Sequence, residues 1–201
     1  MRIRRVLAVA ALPVAALGVL AGCGGTSGND QTQAATAGPG RATPPPWSSP
    51  ANTSGAVRAA GLQMLDAEGT AQHIHAHLDV VVDGQPVTVP AGVGIDASAG
   101  RISPLHTHDT TGVLHVESPD AHATFTLGQF MTEWQVRLDR SCLGGLCTDD
   151  THTLRAYVDG TRYTGDPASI TLTAHQEIEL VYGNSADQVT PIAGYDFAPG
   201  L

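Results

Sequence analysis

The sequence predicts an α+β fold in which antiparallel β-hairpins pack against one capped helix. Short segments that alternate apolar and polar residues meet at turns rich in Gly and Asp, which is typical of hairpins. One later segment carries a helix-capping signal followed by an apolar stripe at helical spacing. The chain has 201 residues, of which 42% are hydrophobic and 14% charged. This length and composition suit one globular domain preceded by a flexible segment.

The charge balance argues against binding to nucleic acids. All ten basic residues are Arg, and nineteen residues are acidic. Three of the Arg lie within the first five residues, so the rest of the chain has seven Arg against nineteen acids, a net charge near −12. Such a surface repels phosphate backbones and anionic headgroups. We therefore expect no nucleic-acid partner.

The N-terminal residues resemble a bacterial lipoprotein signal peptide. A short basic segment precedes an apolar run over 6–20, and Leu20-Ala21-Gly22-Cys23 matches the lipobox at all four positions. The apolar run contains Pro13 and is shorter than the roughly 20 residues of a bilayer span. A plain secretory leader and a transmembrane anchor are the alternatives. The resemblance implies removal of residues 1–22 and acyl chains, such as palmitate, on Cys23. These chains would anchor the protein to the outside of the bacterial cell membrane.

A flexible tether is predicted over residues 23–55, followed by a single globular domain over residues 56–201. Gly, Ser, Thr, Ala, Pro and Gln dominate the tether, and its apolar residues show no period. Such a segment buries too little apolar surface to offset the entropy lost on ordering. Trp47 is interpreted as an incidental aromatic residue within it.

The globular part begins with a weak helical pattern over 57–65 and continues with a first hairpin. Residues 73–82 alternate like a strand with two unlike faces. Asp83-Gly84 then marks a tight turn before a partner strand over 85–89. The apolar members of the first strand are predicted to face the core. The opposite face then carries His73, His75, His77 and Asp79.

A second hairpin carries a second set of His. Its strands lie on either side of a polar turn over 109–112. A four-residue loop sets His106 opposite His115, whereas a two-residue turn sets His108 opposite His115. Both registers are compatible with the sequence, and both place the same four residues on one face. These residues are His106, His108, His115 and Glu117.

The capped helix follows the second hairpin. Thr126 and Gln129 have the spacing of a capping box, and an apolar stripe continues from there to Leu138. Later strands are predicted over 153–158 and 177–182. The segment over 175–183 resembles the last strand of β-grasp domains, in which a tight polar turn precedes an alternating strand that ends in Tyr-Gly. This resemblance implies a β-grasp-like arrangement.

Cys142 and Cys147 are predicted to form a disulfide. The leader places them outside the cytoplasm, where disulfides persist. Gly144 and Gly145 lie between them and let the chain fold back to the short Cα separation that a disulfide requires. A thiolate metal site and a redox pair are the alternatives, but Arg140 is the only basic neighbour that could activate either thiol.

Six of the nine His form the candidate metal site. A His-x-His strand and one His on the neighbouring antiparallel strand can bring three nitrogens to the distance of about 2.0 to 2.1 Å that zinc ligands adopt. Imidazoles without thiolate or Met neighbours favour borderline divalent ions, here copper or zinc. The candidate ligands are His73, His75, His77, His106, His108 and His115. The candidate acceptors that orient these imidazoles, or supply an occasional oxygen ligand, are Asp79, Asp109 and Glu117.

The His-x-His elements resemble the metal sites of α-type carbonic anhydrases and of cupins. Gly100 and His106-Thr107-His108 fit the opening of the cupin motif, but Gly112 and Val113 stand where its Glu should be. Because of this departure, neither family's reaction is carried over. The two His-rich segments together are also similar to secreted His-rich prokaryotic proteins of unassigned role.

Three functions are compatible with these patterns. The first is a lipoprotein without catalytic activity that buffers, scavenges or hands on copper or zinc, with the bilayer, the ion and a membrane protein as partners. The second is a zinc or copper enzyme with His106, His108 and His115 as ligands and Glu117 as base. The third is a metal-free interaction module whose imidazoles respond to acid pH. Six redundant His suit capture better than an open three-ligand site, so the first function is preferred.

Overall fold

A computed structural model describes residues 40–201 of the chain. The predicted signal peptide, Cys23 and the tether as far as residue 39 lie outside the described residues. The helices are α1 (Thr53–Ala59) and α2 (Leu127–Glu133), with a 3-10 helix at Pro167–Ser169. The strands are β1 (Gln72–Val82), β2 (Gln85–Pro86), β3 (Ile95–Asp96), β4 (Arg101–Ile102), β5 (Leu105–His106), β6 (Val113–Ser118), β7 (Cys142–Leu143), β8 (Leu146–Cys147), β9 (His152–Val158), β10 (Thr161–Tyr163) and β11 (Glu177–Asn184).

Seven of these strands form one sheet in the order β10-β9-β11-β1-β6-β5, with β2 also paired to β1. The long strand β1 is central. On one side it pairs in parallel with β11, and on the other it pairs antiparallel with β6 along its first half and with β2 at its end. Because β5 pairs with β6, the two His-rich segments lie side by side in the same sheet.

The two-residue turn predicted at Asp83-Gly84 is present, and a second turn of the same kind lies at Asp159-Gly160. Asp83 and Gly84 have φ values of 49° and 75°, and Asp159 and Gly160 have values of 49° and 73°. Positive φ at both central residues is the signature of the hairpin turn that matches the twist of the strands. The strand after the first turn is shorter than predicted, since it covers only Gln85–Pro86.

Helix α2 supplies the centre of the core. It begins with the predicted capping box, in which the side chains of Thr126 and Gln129 each accept a hydrogen bond from the other's backbone N–H. Phe130, Met131 and Trp134 are fully buried among residues of the sheet. The helix ends before Leu138 because Gln135 adopts a φ of 60°. One capped helix on a mainly antiparallel sheet confirms the predicted α+β class, whereas the β-grasp likeness stays a prediction.

The folded part of the chain begins before the predicted boundary at residue 55. Trp47 is only 3% exposed, and its ring meets that of Trp134 edge-on with centroids 5.7 Å apart. The indole N–H of Trp47 donates to the carbonyl of Thr43, and Arg41 donates to the carbonyl of Trp134. The prediction of a flexible tether is based on the average composition of the segment. That average does not register a single large apolar side chain such as Trp47, which anchors the segment to the core.

Two further local features differ little from expectation. Helix α1 begins earlier than the pattern over 57–65 predicted, since Asn52 caps it by accepting a hydrogen bond from the Gly55 N–H. The disulfide between Cys142 and Cys147 is present and joins the strands β7 and β8. Within residues 40–201, neither helix is long and apolar enough to cross a membrane.

Candidate metal centre

Three neighbouring strands carry the candidate ligands in register. His75 on β1 lies opposite His115 on β6, and His115 lies opposite His106 on β5. One step along the sheet, His73 lies opposite Glu117. The structure thus selects the register of the four-residue loop, in which His106 faces His115. It also brings five of the six imidazoles, all except His77, to one patch of the sheet face that points away from the core.

One set of donor atoms gathers around the β1 and β6 strands. The Nε2 atom of His75 lies 3.1 Å from Nδ1 of His115, and that Nδ1 atom lies 3.2 Å from Oε1 of Glu117. Nε2 of His73 is 3.3 Å from the same oxygen. Bonds of about 2.0 to 2.1 Å in a tetrahedral zinc site separate the ligands by about 3.4 Å. These four residues, the first group, therefore have the spacing to hold a metal ion.

A second set of donor atoms gathers around β5 and shares two residues with the first. Nε2 of His106 lies 3.2 Å from Nε2 of His108 and 3.8 Å from Oε1 of Glu117. His115 completes this second group, which also could hold a metal ion. The rings of His106 and His115 stack with centroids 5.1 Å apart. Five of the six predicted ligands therefore converge on one centre, together with Glu117.

The centre is buried at its base and open at its mouth. His106 has no exposed surface, Glu117 is 1% exposed and His75 is 4% exposed. The side chains of His73 and His108, in contrast, are 49% and 43% exposed. An ion could therefore reach the buried donors past two half-exposed imidazoles at the surface.

Burial favours the uncharged form of three imidazoles of the centre, those of His75, His106 and His115. It lowers the pKa of His106 to about 3 and, with the neighbouring His75, that of His115 to about 4. Burial and the adjacent His73 also lower the pKa of His75. Burial and the nearby Glu68 raise the pKa of Glu117. Neutral imidazoles are the form that binds a metal, so these side chains are ready to act as ligands near neutral pH.

A backbone carbonyl fixes the orientation of His106. Its Nδ1 donates to the carbonyl of Ser103 at 2.9 Å, which leaves Nε2 without a proton and directed at His108. The Ser103 hydroxyl in turn donates to Oε1 of the fully buried Glu133 at 2.6 Å. From the sequence, the orienting role is assigned to carboxylates. Every residue has a backbone carbonyl, so residue type alone cannot show that the carbonyl of Ser103 takes this role.

The three carboxylates predicted to orient the imidazoles have different surroundings. Glu117 lies at ligand distance in both groups rather than behind an imidazole. Asp109 accepts hydrogen bonds from the backbone and hydroxyl of Thr111 and so stabilises the turn that separates β5 from β6. Asp79 lies 3.6 Å from His77, away from the shared centre.

His77 lies apart from the other five candidate ligands. Its Nδ1 is 2.8 Å from Oε2 of Glu177, its Nε2 donates to the carbonyl of Thr111, and its ring stacks on Tyr195. Although burial lowers the pKa of His77, these hydrogen bonds raise it above the ordinary value. His77, Asp79 and Glu177 form a third group that could hold a metal ion. Both ring nitrogens of His77 already have partners, however, so this group is the least suited to ligation.

Two residues that sequence reasoning did not select lie at the mouth of the centre. Glu68 places a carboxylate oxygen 3.5 Å from Nε2 of His108. His175 lines a surface pocket of about 350 Å³ with His73 and His75, and its Nε2 donates to the carbonyl of Leu201. Glu68 is 40 positions from His108 and His175 is 100 positions from His75, so no local pattern could have joined these pairs.

Comparison with protein-family models finds no match, and comparisons with curated proteins and with solved structures find none either.

The buried imidazoles should make the metal-free protein sensitive to acid. The folded-state pKa of His106 lies below its value of 6.5 in an unfolded chain, so the unfolded chain takes up the proton first. This contribution to stability is complete above pH 6.5 and is lost as the pH falls towards the folded-state value. Relative to His106→Gln, wild type should lose about 1.4 kcal/mol of unfolding free energy per pH unit between pH 6 and 4.

Urea unfolding in the presence of a chelator measures this difference. The comparison of two proteins cancels the contributions of the buried carboxylates, whose raised pKa values act in the opposite direction. The exposed His122 offers a matched control, because His122→Gln should run parallel to wild type at every pH. Parallel curves for His106→Gln and wild type would contradict the prediction.

Proposed function

We propose that the protein is an extracytoplasmic lipoprotein that binds copper or zinc at the shared centre and buffers, scavenges or hands on the ion. The observation that carries this proposal is the convergence of five imidazoles on one carboxylate, with donor atoms 3.1 to 3.8 Å apart. Capture and release suit a centre whose deepest ligands are buried and whose outermost ligands, His73 and His108, are half exposed.

The surroundings of Glu117 support a cation at the centre. Among the described residues, its ion pairs are all with His, and its Oε2 atom is buried without a hydrogen-bond partner. A buried carboxylate is costly unless a positive charge compensates it. A divalent ion supplies that charge. The ligands are nitrogen and carboxylate oxygen, and the disulfide removes Cys142 and Cys147 as thiolates, so a borderline ion such as copper or zinc is favoured.

The same observation bears on the alternatives. The enzyme hypothesis uses His106, His108 and His115 as ligands and Glu117 as base, and these four residues form the second group. Glu117 is within ligand distance there, which favours coordination over action through a water molecule. The metal-free interaction module would leave the buried carboxylate of Glu117 without a compensating charge.

Metal analysis of the full chain tests the proposal directly. The chain is purified in detergent without a His tag, incubated with zinc or copper, desalted and analysed by mass spectrometry. We expect at least one ion per chain, and a loss of at least about tenfold in affinity when His75 and His115 are both replaced by Gln. His122→Gln should bind like wild type. A metal content indistinguishable from that of the double variant would refute the proposal.

The proposed location rests on the lipobox and agrees with the disulfide between Cys142 and Cys147, since disulfides persist in oxidising compartments. Its test is Cys23→Ser, which removes the acylated side chain. Wild type should sediment with the membrane fraction and be released by detergent, whereas the variant should not be acylated. Equal incorporation of labelled fatty acid into both proteins would exclude Cys23 as the anchor.

A further inference from the structure

We infer that the centre holds two ions bridged by the carboxylate of Glu117, one enclosed by the first group and the other held by His106 and His108 with a coordination position left open. This inference rests on the proposed function, because it requires that the centre binds metal. It adds the number of ions, their inequivalence and the class of ligand that the open position accepts.

The number of donors exceeds what one ion of this kind uses. The first group already offers four donors, which is the full complement of a tetrahedral zinc ion. An ion held there would leave His106 and His108 unused, although their Nε2 atoms are only 3.2 Å apart. That separation is close to the spacing of two ligands on a second ion. The three imidazoles of the first group and the two of His106 and His108 therefore flank Glu117 as two half-sites.

The carboxylate of Glu117 has the atoms needed for a bridge. Its Oε1 lies 3.2 Å from Nδ1 of His115 and 3.3 Å from Nε2 of His73. Its Oε2 is buried and accepts no hydrogen bond within the described part of the chain. A carboxylate can offer one oxygen to each of two ions, whereas an imidazole nitrogen has a single lone pair and binds one. Glu117 can thus be shared between the ions, but Nδ1 of His115 cannot.

The contacts of His115 assign that nitrogen to the first ion. Nδ1 of His115 lies 3.1 Å from Nε2 of His75 and 3.2 Å from Oε1 of Glu117. The first ion then has four protein ligands and a closed coordination sphere. The second ion has three, namely His106, His108 and Glu117, which is the number that leaves one position open in zinc sites.

The open position of the second ion faces the mouth of the centre. His108 is 43% exposed on its side chain, and Glu68 lies beside it at 3.5 Å. A small monodentate donor such as water, chloride or imidazole could bind there without displacing a buried side chain. The second ion is therefore the one that exchanges, while the first is retained.

Two surface residues give a matched pair of variants. His73 belongs to the first group and His108 to the second, and their similar exposure means that either can be replaced by Ala without opening a core cavity. Zinc binding to the full chain is followed by calorimetric titration and by metal analysis after desalting. His122→Ala is the control, and thermal unfolding monitored by circular dichroism verifies that all variants fold.

We expect wild type and His122→Ala to bind two zinc ions per chain in two distinct steps. His108→Ala should lose the weaker step, with the tighter affinity unchanged within about threefold. His73→Ala should weaken the tighter step at least about tenfold. Added imidazole should displace neither ion from the wild-type protein, but it should change the heat of the second binding step. That change should be absent in His108→Ala.

Other outcomes would overturn the inference. If the wild-type chain bound one zinc ion and both replacements weakened its affinity, the centre would hold a single ion and the proposed function would stand. No bound zinc or copper at all would remove the proposed function as well. Copper gives an independent readout, because a bridge couples the two unpaired electrons. The paramagnetic resonance signal of the fully loaded wild type should then account for less copper than is bound, and a signal that accounts for all of it would contradict the bridge.

Discussion

Replacing Glu117 by Gln is expected to stabilise the metal-free protein and to weaken metal binding at least about a hundredfold. Glu117 is 1% exposed, and one of its oxygens has no hydrogen-bond partner among the described residues. Leaving such a group buried costs about 1 to 3 kcal/mol, most of which a neutral amide of the same shape avoids. The same change removes the only carboxylate shared by both groups, and even residues behind the ligands affect metal affinity about 10- to 100-fold.

Urea unfolding with a chelator and with excess zinc measures both halves of this prediction. With chelator at pH 7.5, Glu117→Gln should be more stable than wild type, and the gain should shrink in acid because a protonated Glu117 resembles Gln. With excess zinc the order should reverse, since only wild type gains the free energy of binding. Asp150→Asn, which removes an exposed carboxylate outside both groups, serves as the control and should change either value by less than about 0.5 kcal/mol. A destabilised Glu117→Gln that zinc still stabilises like wild type would refute the prediction.

Replacing Trp47 by Ala should cost about 3 to 5 kcal/mol of unfolding free energy, which is a large part of the stability of a small domain. The ring of Trp47 packs edge-on against Trp134, and its backbone carbonyl accepts the indole N–H of Trp134 at 3.2 Å. Truncation leaves a cavity beside the fully buried Trp134 and removes the hydrogen bond from Trp47 to Thr43.

Chemical denaturation of the two proteins in chelator tests this expectation. The matched control is Ile192→Ala, because Ile192 is an exposed apolar residue, and its loss should cost less than about 0.5 kcal/mol. If Trp47→Ala unfolded at the same urea concentration as wild type, the segment that contains Trp47 would contribute nothing to the fold, as its composition suggests.

Two regularities of β-structure explain why much of the centre is predictable from the sequence. They are the alternation of side chains along a strand and the fact that both possible hairpin registers place the same residues on one face. A strand places residues two apart on the same face, so the apolar partners of His73 and His75 determine the face on which both lie. His106, His115 and Glu117 share a face in either register of their hairpin, so the prediction of that face does not depend on the length of the turn. The sequence also indicates that these faces lie opposite the hydrophobic core, which is where the structure places them.

Position along and across the sheet is not contained in those patterns. His77 shares the face of His73 and His75, but its neighbour on β11 is Glu177, which a local pattern cannot identify. The pairing of β1 with β11 joins residues about one hundred positions apart. The contact between Trp47 and Trp134 joins residues 87 positions apart. Long-range pairings depend on the packing of the whole core and leave no signal at the spacing of a turn or a strand.

The parallel pairing of β1 with β11 also has a consequence for the order in which the chain folds. The middle of the sheet cannot close until a segment near the C-terminus is available, because His77 and Glu177 are one hundred residues apart. Contacts of such long sequence separation form late and slow the folding of a domain. We therefore expect the β1–β11 pair to form late in folding, only after Glu177–Asn184 has become available.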